Sequence, residues 1–207
     1  IIARLTEVQP DDVIFTSGAT ESNALAIVGH TIALKGAGEK DIHILYLPSA
    51  HASIVENVKS LEMYEVAVEV LPIKDYRVDT EALAKMLRNG TALVSMEAVC
   101  GETGVVWNTR EVAQVLHAHK TPIRLHVDAS QAPLTEKLTR AHFDADILTL
   151  DSSKVSSTRG IGALIAHRTI PIAPLYRGGD QERGLRSGSE APELARSFAE
   201  DLARAAS

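Results

Sequence analysis

The sequence contains a single cysteine, Cys100, so no internal disulfide framework can form and the chain suits a reducing, cytoplasmic setting. No apolar run approaches the roughly 20 residues that a membrane-spanning helix needs. Lys and Arg do not cluster and the net charge is −6, which argues against a nucleic-acid or anionic-membrane surface. Internal repeats, low-complexity segments and an interdomain linker are all lacking. There is no Met and no signal-like leader ahead of Ile1-Ile2, so the chain reads as an excised or processed piece. What is there is ordinary globular composition: 207 residues, 45% apolar and 23% charged, enough for one well-filled domain and a poor match to disorder.

Strand-like and helix-like stretches alternate. Val13–Thr16 leads into a turn at Gly18. A helix is then expected from about Thr20 to Lys35, closed by Gly36 and Gly38, with Ala24, Leu25, Val28 and Ile32 as its apolar face. Ile42–Leu47 is a strand stopped by Pro48, followed by a helix near His51–Tyr64 and a strand at Val66–Leu71. Asp79 caps a helix over Thr80–Arg88 that Asn89-Gly90 ends, and Ala92–Met96 is a strand. Asn108 with Glu111 resembles a capping box opening a helix to His119. Three more strands are expected at Arg124–Val127, Ile147–Leu150 and Ile161–Ala166, and an amphipathic helix at Glu193–Ala206. Such alternation predicts an α/β fold with a mostly parallel sheet covered by helices on both faces. Ligands of such sheets sit beyond the carboxyl ends of the strands, and Ser17-Gly18, Asp128 and Lys154 all fall there.

Each of these positions has a plain reading and a chemical one. In Ser17-Gly18-Ala19-Thr20, glycine permits a tight turn, and successive N–H groups with the Thr20 hydroxyl could face a phosphate; the plain reading is a capped strand-to-helix turn. Asp128 either caps the next segment or keeps a pyridine nitrogen protonated, and Gln131 could donate to a phenolic oxygen. Lys154, among small residues after an apolar strand, is either a surface charge or a partly desolvated amine suited to imine formation. His51 is either a solvated helix-start residue or a ring that stacks on a planar ligand and moves protons. Together, in this order, these residues are the parts needed to hold pyridoxal 5′-phosphate.

Thr16–Asn23, His126-Val-Asp-Ala-Ser-Gln131, Lys154 and Gln181-Glu-Arg-Gly-Leu-Arg-Ser-Gly188 resemble the cysteine desulfurases, in the class V aminotransferase group of pyridoxal-phosphate fold type I. The resemblance runs from Val13 to Ser189 at least. It implies a three-layer α/β/α domain on a mostly parallel seven-stranded sheet. It also implies transfer of sulfur from L-cysteine, leaving alanine and an enzyme-bound persulfide that feeds iron–sulfur cluster assembly through a sulfur-acceptor protein. By the same resemblance Ala19, Thr20 and Ser153 would contact the phosphate, and His51 would stack on the ring and serve as acid–base. Asp128 would pair with the ring nitrogen, Gln131 with the phenolic oxygen, and Lys154 would hold the cofactor covalently. Ser189 would reach the cofactor of a partner subunit, which implies a homodimer.

Departures from the family pattern are specific. Cys100-Gly101 stands where the family has two asparagines, and Asp151-Ser152-Ser153 where it has Ser-Gly-His. A carboxylate at 151 would repel a phosphate unless it turns away or is neutralised. Ser156-Ser157-Thr158 replaces Tyr-Gly-Pro, and Asp180 replaces a glycine. The family's N-terminal arm and its C-terminal small domain, with the nucleophilic cysteine and the substrate-binding arginine, are expected to lie outside this chain. That leaves 1–207 as the cofactor-binding large domain, and desulfurase turnover is expected to need the small domain. Cys100 does not match the nucleophile and reads as a small buried residue at a strand end. Two alternatives stay open: a selenocysteine lyase or other class V enzyme, and a degenerate, non-catalytic dimer scaffold favoured by Gly101, Asp151 and Ser153.

Overall fold

The computed structural model describes residues 1–206. Nine strands form in chain order: β1 Val13–Thr16, β2 His43–Tyr46, β3 Ala67–Val70, β4 Ile73–Lys74, β5 Arg77–Val78, β6 Thr91–Glu97, β7 Arg124–Asp128, β8 Ile147–Asp151 and β9 Gly162–Ala166. Seven of them make one sheet in the order β1-β9-β8-β7-β6-β2-β3, and β4 and β5 form a small hairpin. All neighbours in the large sheet run parallel except β9, which is antiparallel to both β8 and β1. This is the α/β architecture expected from the alternation.

The α-helices are α1 Ile2–Thr6, α2 Ala19–Ala24, α3 His30–Gly36, α4 Ala52–Ser60, α5 Thr80–Met86, α6 Thr109–His117, α7 Arg140–Phe143 and α8 Pro192–Ala205. α2 packs on α4, β8 and β9, while α5 and α7 both pack on α6, which lies on β7. Because helices cover both faces, the inner strands read as continuous apolar runs, with Leu45, Val94, Val127, Leu148 and Ile165 fully buried.

Two sequence expectations need correcting. The helix over 20–35 keeps only part of its expected face: Leu25 is buried and Ala24 and Val28 are half-buried, but Ile32 is 45% exposed, while Ala26, Ile27, His30 and Thr31 are buried. A π-helical segment at Leu25–Gly29 joins α2 to α3, and its wider turn rotates everything after it. The Gly29 carbonyl accepts from Ala173 N–H, and an added Cβ at Gly29 would stand 2.7 Å from Ala173 O. Asn108 does not cap α6. Its amide instead pairs with both backbone groups of Val78 and donates to Glu111, tying the hairpin to the helix. Asp79 does cap α5, accepting from Glu81 and Ala82 N–H.

One face of the sheet carries a polar stripe. Cα register pairs Ser95 with His126, Glu97 with Asp128, and Asp128 with Thr149, so alternate residues of β6, β7 and β8 share that face. Ser95 Oγ bonds His126 Nδ1 at 2.8 Å and Thr149 Oγ1 bonds Nε2 at 3.1 Å. Burial holds this imidazole neutral, with a pKa pushed down to about 3. One pleat further along, at the carboxyl rim, the stripe ends in Glu97, Asp128 and Asp151.

The rim is closed by two glycines in contact. Gly18 sits at φ 151°, ψ −178°, a conformation that side chains rarely adopt, and Gly162 opens β9 directly against it. A Cβ at Gly162 would meet Gly18 Cα at 2.7 Å and Leu150 O at 2.8 Å. Gly162→Ala is expected to destabilise the fold by about 1–3 kcal/mol, read as a lowered urea midpoint with an unchanged slope. A midpoint equal to wild type would mean that the two backbones separate freely.

Candidate functional site

A cavity of about 580 Å³ opens at the carboxyl ends of β6, β7 and β8. Ala19, Thr20, His51, Asp128, Gln131, Ser153 and Lys154 all line it. Residues separated by more than a hundred positions in sequence therefore share one wall. Ser189 does not. It lines a second cavity of about 420 Å³ with Phe15, Glu182 and Arg186. Lys154 ends a short 3₁₀ turn, Ser152–Lys154, directly after β8, and it is exposed; the partial burial expected of its amine is not seen.

Asp128 has both carboxylate oxygens bonded. Its Oδ1 accepts Ser130 N–H at 2.9 Å and its Oδ2 accepts Asn23 Nδ2–H at 2.7 Å. Asn23 gives its other amide hydrogen to Ser53 Oγ at 2.8 Å. Ser53 N–H donates to His51 Nδ1 at 3.2 Å, so the Ser53 hydroxyl, 2.8 Å from the same nitrogen, gives its hydrogen to it as well. Nδ1 is therefore the unprotonated nitrogen, and Nε2 carries the hydrogen of the neutral ring. His51 caps α4 and is also a member of this relay, so the structural and chemical readings of that residue coexist.

Gln131 lies over Gly101. A Cβ on Gly101 would stand 2.5 Å from Gln131 Nε2, so the absence of a side chain at 101 is what admits the glutamine amide. At the opposite end of the cavity, Asp151 Oδ2 accepts Ala19 N–H at 2.8 Å and Oδ1 accepts Ser153 N–H at 2.7 Å. Glu21, two residues beyond Ala19, holds the distant 181–188 segment against this turn. It accepts from Ser17 N–H, Tyr176 O–H and Arg186 Nε–H, and Glu182 accepts Phe15 N–H.

Sequence reasoning assigned no role to Asn23, Ser53 or Glu97. Asn23 lay inside a quoted motif, and Ser53 gave no signal of its own. Glu97 had one: like Asp128 and Asp151, it is an acid that directly follows an apolar strand run. Cys100 is buried as expected, and it also lines the cavity.

The side chains around Asp128 suit a planar aromatic with a polar ring, while at the other end Asp151 already takes the Ala19 and Ser153 N–H groups. Asn23 Oδ1 and Ser130 Oγ, beside Asp128, are buried with no partner among the described residues, so hydrogen-bonding capacity is left over there. No group of three or more His, Cys, Asp or Glu among the described residues is placed to hold a metal ion.

Comparison with known proteins supplies the context. The model of the family described as aminotransferase class-V matches residues 1–196. A relative from Archaeoglobus fulgidus, named cysteine desulfurase IscS 1, is 35% identical over 86% of this chain and 46% of its own length. A solved structure titled NifS-like protein superposes with a TM-score of 0.92 at 27% identity, covering 99% of this chain and 55% of that one. Another, titled SspA in complex with cysteine, gives 0.88 at 29%, covering 98% and 58%. The chain spans somewhat under half the length of the curated relatives it matches.

Glu97 makes the cavity sensitive to pH. Burial first, opposed by the Cys100 thiol and helped by the charge of Asp128, lifts its carboxyl from 4.5 to about 7. Its hydrogen-bond support is weak: Oε2 accepts a long 3.3 Å bond from His51 N–H. Between pH 4.5 and about 7 the folded chain holds a proton that the unfolded chain has released, so stability falls as pH rises through that window. Urea midpoints of wild type and Glu97→Gln, taken across the window, should diverge, with wild type losing ground as pH rises. The pull of His126 in the opposite direction is common to both chains and cancels. A constant difference would mean that Glu97 ionises as freely as it does in water.

Proposed function

The chain belongs to the class-V aminotransferase family, and from that premise we propose that residues 1–207 are the pyridoxal-phosphate-binding large domain of a cysteine desulfurase-like enzyme. Its substrate would be L-cysteine, from which sulfur passes to an enzyme thiol as a persulfide and alanine is left. The observation that carries this reading is that Lys154, Asp128, His51, Gln131 and Thr20 line one cavity.

When bound, pyridoxal phosphate supplies an electron sink for the carbanion at an amino acid's Cα. Each side chain has a matching task. Asp128 would hold the proton on the ring nitrogen, and Asn23 keeps that carboxylate aimed into the cavity. Gln131, resting on Gly101, would donate to the phenolic oxygen. Lys154 would take the aldehyde carbon. Thr20, Ala19 N–H and Ser153 would face the phosphate. His51, with Nδ1 engaged by Ser53, can give or take a proton only at Nε2.

Ser189, outside the first cavity, fits a homodimer in which it serves the partner's cofactor. The sulfur acceptor would be a thiol-bearing partner protein. The lone buried Cys100 favours a reducing compartment such as the cytoplasm. Asp151, seated in the phosphate turn, favours a second reading, a dimer scaffold that has lost its cofactor.

Borohydride reduction after incubation with pyridoxal phosphate separates the two. The enzymatic reading expects one labelled residue, Lys154, and no label in Lys154→Ala. Labelling scattered over surface lysines, or none, would favour the scaffold.

A further inference from the structure

The turn that would receive the cofactor's phosphate already holds an anion. Asp151 is the last residue of β8, and its two carboxylate oxygens accept the N–H groups of Ala19 and Ser153 at 2.8 and 2.7 Å. Ala19 begins a helical run that continues without a break in αR geometry through Leu25 and His30 to Gly36, so its N–H lies at the positive end of a long helix dipole. The carboxylate sits in the hollow of the Gly18 turn, where an added Cβ on Gly18 would be 3.4 Å from Oδ2. Asp151 lines the same cavity as Thr20, Ser153 and Lys154. Among the described residues it forms no ion pair with Lys, Arg or His.

We propose that Asp151 is an internal occupant of the anion turn, so that a phosphate-bearing aldehyde must displace it and the cavity recognises its cofactor chiefly through the ring and the aldehyde. This rests on the cofactor reading of the cavity. The physical reason is competition for one set of donors. A phosphate placed on Ala19 and Ser153 N–H removes both partners of Asp151 and brings a second negative group within a few ångströms of the first. Asp151 thereby lowers the selectivity for pyridoxal phosphate over the same aldehyde without its phosphate. A serine at 151 would leave the turn free and contribute a hydroxyl donor.

The test compares two aldehydes that share ring and carbonyl, pyridoxal phosphate and pyridoxal. Each is titrated by absorbance into the wild-type chain, Asp151→Ser and Asp151→Asn, with borohydride labelling and peptide mapping to verify the attachment at Lys154. The quantity read is the ratio of the two affinities. The expected result is that Asp151→Ser raises the preference for pyridoxal phosphate by about tenfold or more, worth about 1.4 kcal/mol, chiefly through tighter phosphate-bearing ligand. Asp151→Asn, which keeps the side-chain shape and removes the charge, should raise it in the same direction, and it serves in place of the serine variant if that one does not fold. Pyridoxal binding reports in each chain that the ring end is intact. Labelling of Lys154 by both aldehydes with a ratio that rises less than about tenfold would overturn this inference alone. Failure of both aldehydes to label Lys154 in all three chains would overturn the cofactor reading, and this inference with it.

Discussion

Asn23 donates one amide hydrogen to Asp128 and the other to Ser53, and the site depends on that double donation. The two bonds join α2, β7 and α4. Rotating the amide by half a turn would face its oxygen to a carboxylate, where neither side has a hydrogen to give, so the orientation has one solution. From it follows the aim of Asp128, while the Ser53 N–H that donates to Nδ1 sets the tautomer of His51. Asn23 is fully buried, so its amide has no water to turn to if either partner is removed.

Crowding of acids at the strand ends is the second constraint. Glu97, Asp128 and Asp151 close three adjacent parallel strands on the same face. The fold deals with each differently. Asp128 is given two donors from the cavity floor, and Asp151 is given two backbone N–H groups at helix and turn starts. Glu97 is given little, and burial makes it a carboxyl that keeps its proton to about pH 7. Glu102 lines the cavity as well, so four acids face one lysine and one histidine there.

How much of this was legible in the sequence depended on how local each cause was. Strand–helix alternation, the cap at Asp79 and the positions of Asp128 and Lys154 after apolar runs are set by neighbours in the chain, and they emerged with near-correct bounds. The helix after Gly18 was expected with a partly wrong buried face, because its π segment answers to Ala173, more than a hundred residues away. Asn108 with Glu111 three residues on has the spacing of a capping box, yet its amide is taken by the hairpin at Val78. Asp151 could be seen as an anomaly, but its seat on Ala19 N–H spans 132 residues and has no local signature.

The departures from the cysteine desulfurase pattern do not scatter over the cavity. At the ring end, Gly101 departs from the family, yet the space it leaves is filled by Gln131, whose amide could not lie there beside any larger residue. Loss of one side chain is thus matched by the placement of another, and Asp128 with its supports is intact. At the tail end the change runs the other way: Asp151 adds a charge and consumes donors. Asn23, Ser53 and His51 form a bonded series ending on the Asp128 carboxylate beside the cavity. The two ends of the cavity thus differ in kind: bonded support for a carboxylate at one, and a carboxylate already seated on backbone donors at the other.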